Sequence, residues 1–240
     1  MRVLVVEAEK YAEAAAELVM ERIRLEPSGL LGFATGTTTP PVHEALVRRV
    51  EESGTDVSKL AVFNVDEYCD IPPDDPRTCL FRMKTQLYDR LRPGKVVAFR
   101  SDASDPQAES LRVWQEIGEA GGIALQMLGI GMDGHIGFND PGTLWGCDVE
   151  TVVFSERSRA GKASAWGGVE NVPARGITLG VRGIMKSRSL LLMARGGSKA
   201  EIVRTALEGP VTDRVPASAL QLHPFATVLL DREAASRLGK

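Results

Sequence analysis

Residues 123–142 read IALQMLGIGMDGHIGFNDPG. The nearly all-apolar run Ile123 to Leu128 has the length and composition of a strand covered on both faces. It stops in a loop, Gly129 to Gly142, where glycines at 129, 131, 134 and 137 let the backbone turn tightly and approach a ligand. A strand hidden on both faces needs helices above and below it. That points to a parallel sheet of the α/β kind.

The flanking sequence repeats the pattern. Strands are expected at Arg2 to Val6, Leu30 to Ala34, Leu60 to Asn64 and Val96 to Phe99. Helices are expected over Lys10 to Ile23, Pro41 to Glu51, Leu80 to Leu91 and Pro106 to Ala120. Further on, Thr151 to Phe154, Ser189 to Met193 and Ala226 to Leu230 read as strands. Gly180 to Lys186, Lys199 to Leu207 and the last residues read as helices. Ser155 to Glu170 is polar and weakly periodic, and reads as a mobile lid over about 155–172. The expected fold is an open, mostly parallel Rossmann-like sheet with helices on both faces, one domain over 1–240. Ligands of such sheets bind outside the carboxyl ends of the strands.

Composition narrows the function. A net charge of −3 lacks the basic footprint of a nucleic-acid partner. No run approaches the ~20 apolar residues of a membrane span, and the N-terminal run MRVLVVEAEK meets charge too soon for a signal peptide. Cys69, Cys79 and Cys147 are few, odd in number and form no C-x-x-C pair. They read as reduced thiols of a cytoplasmic protein.

Three segments stand where a strand ends. Thr35-Gly36-Thr37-Thr38-Thr39 offers hydroxyls and N–H groups to an anion at a helix N-terminus, or is a plain capping turn. Asn64-Val65-Asp66-Glu67-Tyr68 puts two adjacent carboxylates at a strand end, as a desolvated base or as solvated loop acids. His135, between Asp133 and Asp140, is an imidazole that carboxylates can orient for proton transfer near neutral pH. His43 and His223 read as structural. No further His or Cys stands near His135 to complete a metal shell, so no metal and no cofactor is expected.

T-G-T-T at 35–38, F-N-V-D-E-Y at 63–68, L-G-I-G-M-D-G-H-I-G-F-N-D-P-G at 128–142, G-S-K at 197–199 and S-A-L-Q-L-H at 218–223 together resemble the glucosamine-6-phosphate deaminases, also called isomerases. Asp-Gly-His alone is shared with the related 6-phosphogluconolactonases; Phe138-Asn139 and the 64–68 segment point to the deaminase side. The resemblance implies an aldose–ketose isomerisation with ammonia release, giving fructose 6-phosphate, without metal or organic cofactor. It implies Asp66 as the base between C2 and C1, and His135 as the ring-opening group, oriented by Asp133 and Asp140. Thr35, Gly36, Thr37, Thr38 and Lys199 would hold the phosphate or hydroxyls of a small-molecule phosphosugar. The resemblance leaves room for a homo-oligomer.

The chain departs from the family at several positions. Asp140 replaces the usual glutamate, which draws the carboxylate back by about 1.5 Å. The lid lacks the family's phosphate-binding arginine near Ser164, so Arg159 or Lys162 would substitute; a lysine gives a point charge instead of a fork. Thr78-Cys79 replaces a serine–tyrosine pair. These changes admit another epimer such as galactosamine 6-phosphate. A lactonase using His135 to activate water is a second reading, and a non-catalytic phosphosugar sensor a third. Thr143-Leu144 and Glu150-Val152 replace the Ser-Ser and Arg-x-Lys of regulated members, and Glu150 would repel a phosphate. N-acetylglucosamine 6-phosphate is therefore expected to leave the rate unchanged. Saturation curves with and without it check this, and activation on its addition overturns it.

Overall fold

Alternating side chains let each strand serve two cores at once. In the computed structural model, which describes residues 1–239, Leu31 and Phe33 face one layer of helices while Leu30 faces the other. Leu191 and Met193 likewise oppose Leu190 and Leu192. This period of two is what places helices on both faces.

The chain runs through β1 (Arg2–Val6), α1 (Tyr11–Leu25), β2 (Leu30–Phe33), α2 (Pro40–Ser53), β3 (Ala61–Asn64) and β4 (Asp66–Tyr68). A helical stretch follows as α3 (Cys79–Met83), a wide turn over Lys84–Tyr88 and α4 (Asp89–Leu91). Then come β5 (Lys95–Val97), α5 (Pro106–Glu119), β6 (Ile123–Gly129), β7 (Val149–Val153) and α6 (Glu156–Trp166). The last elements are β8 (Arg175–Leu179), α7 (Val181–Met185), β9 (Leu190–Ala194), α8 (Ala200–Glu208) and β10 (Ala226–Asp231).

Seven strands pair in parallel in the order β1-β10-β9-β6-β2-β3-β5. Residues of α1 and α2 fill the core on one face, and those of α5 and α8 the core on the other. Each fully buried leucine or phenylalanine there is worth about 1.5–3 kcal/mol relative to exposure. Among the described residues no helix is long and apolar enough to cross a membrane.

Sequence and structure differ in several places, among them the strand β8, which has no counterpart among the expected elements. The third strand ends at Asn64 as expected, but Asp66-Glu67-Tyr68, read as acids at its end, forms a strand of its own. After Val65 the chain enters a second, antiparallel sheet, β4-β8-β7, in which Asp66 pairs with Thr178. Val65 joins the sheets, donating its N–H to Phe33 O at 2.9 Å and accepting from Leu179 N at 2.8 Å. The expected terminal helix is instead a series of turns over 232–238. There the Asp231 carboxylate accepts from Ala234 N at 2.8 Å and also ties down Gly196 N, so the first turn is committed elsewhere. The polar segment Ser155 to Glu170, weakly periodic in sequence, contains a formed helix, α6. Ser155 caps it by accepting from Ser158 N, and Gly167 ends it at φ 70°.

That helix has no broad apolar stripe; its one buried residue is Trp166. Trp166 is buried among Tyr68, Phe138, Phe154 and Val172, with its ring centroid 4.9 Å from that of Tyr68. The Arg77 guanidinium covers the Trp166 ring at 4.4 Å. Trp166→Ala is expected to loosen 156–166 without unfolding the parallel sheet. Limited proteolysis should then cut inside this segment about tenfold faster or more, while the main thermal transition moves little.

Candidate active site

The order of the parallel sheet creates the crevice. From β2 the chain proceeds outward to β3 and β5; from β6 it proceeds the other way, to β9 and β10. The two halves diverge between β2 and β6, and at such a switch point the carboxyl-end loops leave a cleft. The turn 35–39 and the loop 130–142 stand on either side of it.

His135 is locked from two directions. Its ring Nδ1 lies 2.7 Å from Asp133 Oδ1, and its backbone N–H also donates to that oxygen. An ionised carboxylate only accepts, so Nδ1 carries the shared hydrogen and Nε2 is left to exchange a proton. The contact holds the Asp133 carboxyl far below the ordinary range. Gly131 provides the floor: a Cβ there would stand 2.1 Å from the imidazole. Lys199, half-buried, donates to Ile130 O at 2.6 Å and lies within range of the Asp133 charge.

The loop of His135 is fastened to the small sheet. Phe138 N donates to Thr178 Oγ1 at 3.1 Å, and Asn139 Nδ2 donates to Ile136 O and Leu179 O. Thr178 is the cross-strand partner of Asp66. Gly137, at φ 56°, passes so close that a Cβ would stand 2.9 Å from Thr178 Oγ1 and 3.6 Å from Asp66 Oδ2. Asp66 therefore lies against the loop that bears His135, within range of its charge.

The adjacent acids of the 64–68 segment divide, because successive strand residues face opposite sides. Asp66 is 6% exposed, and its Oδ1 is buried without a fixed partner. Burial pushes its pKa up to about 6, opposed by the Cys79 thiol and by the charges of Lys162, His135 and Arg82. Glu67 turns away and accepts from Tyr68 N, Cys79 N and Leu80 N at 2.7–2.9 Å, which anchors the start of α3. Burial raises its pKa to about 7. It has a structural partner set and no access to the cleft.

On the β2 side, Pro40 and Pro41 open α2 and supply no N–H groups. The donors available to an anion are those of the turn itself. The N–H groups of Gly36, Thr37 and Thr38 have no acceptor among the described residues. Thr35 donates its hydroxyl to Cys79 Sγ at 3.5 Å, and Thr39 bonds Gly36 O.

The α6 cations Lys162 and Arg159 also divide. Lys162 lies over Phe154 at 4.8 Å and Phe138 at 5.4 Å, and its charge reaches Asp66. Arg159 turns the other way, donating to Val169 O at 2.8 Å. Asp140 makes no hydrogen bond to the imidazole among the described residues; its backbone carbonyl accepts from Thr143 N.

His43 packs edge-on against Phe33 inside the fold, where burial lowers its pKa to about 4. His223 bonds Ser187 O outside the cleft. Cys79 and Arg82, three residues apart on α3, both act on Asp66 and were not singled out as site residues from sequence. For Cys79 the replaced serine–tyrosine pair at 78–79 was one signal; for Arg82 only its helical spacing from Cys79 was available. Among the described residues no three His, Cys, Asp or Glu side chains stand close enough to share a metal ion.

A family profile described as glucosamine-6-phosphate isomerases/6-phosphogluconolactonase matches residues 6–229. Glucosamine-6-phosphate deaminase 1 of Bacillus subtilis is 36% identical over 95% of this chain and 95% of its own length. The glucosamine-6-phosphate deaminase of Rhodopirellula baltica is 37% identical over 99% of this chain and 95% of its own. A solved monomeric glucosamine-6-phosphate deaminase superposes with a TM-score of 0.93 at 34% identity, over 99% of this chain and 100% of that one. The 6-phosphogluconolactonase of Thermotoga maritima superposes at 0.76 with 20% identity, over 96% and 98% of the two chains, which is a likeness of fold.

A buried carboxylate with a raised pKa binds its proton more tightly folded than unfolded, so folding weakens as pH rises from about 4 toward 6. Asp66→Asn removes that penalty. Its Tm should exceed the wild type's by a few degrees at pH 8, and the difference should vanish at pH 4. Glu67→Gln, which weakens three contacts at the start of α3, should lower Tm at both pH values.

Proposed function

The chain belongs to the glucosamine-6-phosphate isomerase/6-phosphogluconolactonase family, and we propose that it converts glucosamine 6-phosphate and water into fructose 6-phosphate and ammonia. Its near full-length identity to the deaminases supports this reaction over the lactonase one. The observation that carries the residue assignment is the Asp66 carboxylate lying against the loop that bears the Asp133-held imidazole.

The N–H groups of Gly36, Thr37 and Thr38 hold the substrate phosphate, with the Thr35 and Thr38 hydroxyls beside them and Lys199 adding charge across the cleft. His135 moves a proton between the anomeric hydroxyl and the ring oxygen through Nε2, which opens the pyranose. Asp133 stabilises the imidazolium that forms. Asp66, ionised, then takes the proton from C2. Its bonding pair becomes the C1–C2 double bond as O1 gains a proton, giving an enol-amine. Asp66 returns the proton to C1, which leaves an imine at C2. Water adds at C2 and ammonia departs.

Burial suits Asp66 to this task, because a carboxylate of higher pKa is a stronger base at neutral pH. Lys162 keeps the negative charge tolerable and stands nearer the reacting carbons than Arg159, which belongs to the lid's own packing. Asp140 stands in the second rank, steering the loop instead of the ring. Three free cysteines support a cytoplasmic location.

The test is a panel of 2-amino-2-deoxyhexose 6-phosphates assayed for ammonia and ketose. The wild type should release ammonia from the glucosamine compound. Asp66→Asn should lose about 10²–10⁴-fold in kcat. Wild-type and variant rates that match refute Asp66 as the base. Hydrolysis of 6-phosphogluconolactone with no ammonia from any amino sugar would refute the reaction.

A further inference from the structure

The cations that turn partly inward have acceptors, with one exception. Arg22, Arg49, Arg112, Arg159 and Arg175 are half-buried, and each guanidinium donates to a carboxylate or a carbonyl. Lys162 donates to Ser158 Oγ at 2.8 Å, and Lys199 to Ile130 O. Arg82 is half-buried too, and its backbone N–H bonds Thr78 O. Among the described residues, its guanidinium makes no hydrogen bond and no ion pair, and lies over no aromatic ring.

Two contacts fix where Arg82 stands. At the start of α3 the Thr35 hydroxyl donates to Cys79 Sγ at 3.5 Å, which brings the helix against the turn 35–39. Beyond α3, the wide turn Lys84–Tyr88 packs on α2, the helix that the turn 35–39 leads into. Arg82 lies between these contacts. At three residues along a helix it shares the face of Cys79, with about 5–6 Å between the two Cβ atoms. That face looks toward the turn whose Gly36, Thr37 and Thr38 N–H groups lack acceptors. Glu67 does not claim the guanidinium, because its carboxylate is committed to the N–H groups of Tyr68, Cys79 and Leu80. The Arg82 charge reaches both Asp66 and His43 of α2, in keeping with this position.

A guanidinium carries five N–H donors in a planar fork, no acceptor, and a charge, and it meets two oxygens of a phosphate at once. Partly withdrawn from water and unpaired, it is completed by an anion brought from outside. We propose that Arg82 is a phosphate-binding residue of the cleft, closing with its fork the seat begun by the amides of Gly36, Thr37 and Thr38. This rests on the turn 35–39 being the phosphate seat of the proposed reaction. The phosphate makes and breaks no bond there, so Arg82 holds ground state and transition state alike.

The probe is inorganic phosphate, titrated into wild type, Arg82→Met and Arg82→Lys while the amides of 36–38 and the Arg82 Nε–H are followed by ¹⁵N NMR. Arg82→Met should weaken phosphate binding about tenfold or more. It should raise KM for glucosamine 6-phosphate by about 10- to 100-fold, with kcat changed less than about threefold. Arg82→Lys, which keeps the charge and loses the fork, should recover part of the loss. In the wild type the Arg82 Nε–H resonance should move together with the three amides, a readout that needs no variant. Amides that shift while the Arg82 Nε–H stays still, with wild-type phosphate affinity in Arg82→Met, overturn the inference and leave the seat in place. A loss confined to kcat overturns it as well. Amides that stay still at saturating phosphate remove the seat itself, and Arg82's part in it.

Discussion

The parallel pairing of β2 with β6 is the constraint from which the site follows. Leu30 through Gly32 register against Ile123 through Gln126, and from this pair the chain adds parallel strands outward in opposite directions across the sheet. Two loops are thereby left facing each other with nothing from the sheet between them. One brings free amide donors, the other an imidazole. Gln126 sits inside this central pair, and only the absent side chain of Gly32 gives it room; a Cβ there would be 1.9 Å from its Oε1.

The small antiparallel sheet adds what the large one lacks. It brings Asp66 to the cleft wall through hydrogen bonds with β8, and the same Thr178 that opposes Asp66 receives the His135 loop. Burial, which disfavours the ionised acid, is only partly offset by the Cys79 thiol and by Lys162, His135 and Arg82 on separate segments. The result is a carboxylate that ionises within the neutral range while remaining out of water.

Much of this was legible before any coordinates. The strand at 123–128, the turn at 35–39 and the glycine loop around His135 stand where their residue types put them. What stayed hidden is non-local. Asp66-Glu67-Tyr68 is too short and too acidic to read as a strand; pairing with β8 makes it one. Arg175-Gly176-Ile177-Thr178-Leu179 opens on a charge and a glycine, and went unseen for the same reason. Which of two neighbouring acids faces the cleft depends on strand direction, which no dipeptide reveals. The tail from 232 to 238 has alanine and arginine at helical spacing, but a side chain on the preceding strand claims its first amide. Trp166 alone anchors α6, and a single aromatic leaves no period to detect.

Pro40 and Pro41 have an effect beyond the amides they lack. Two successive rings fix φ near −65° at the opening of α2, and each also restricts the residue before it. The backbone leading out of the turn has few alternative shapes to lose when an anion arrives. For the phosphate seat proposed above, less ordering entropy then opposes capture, so stiffness adds affinity where formal charge is scarce.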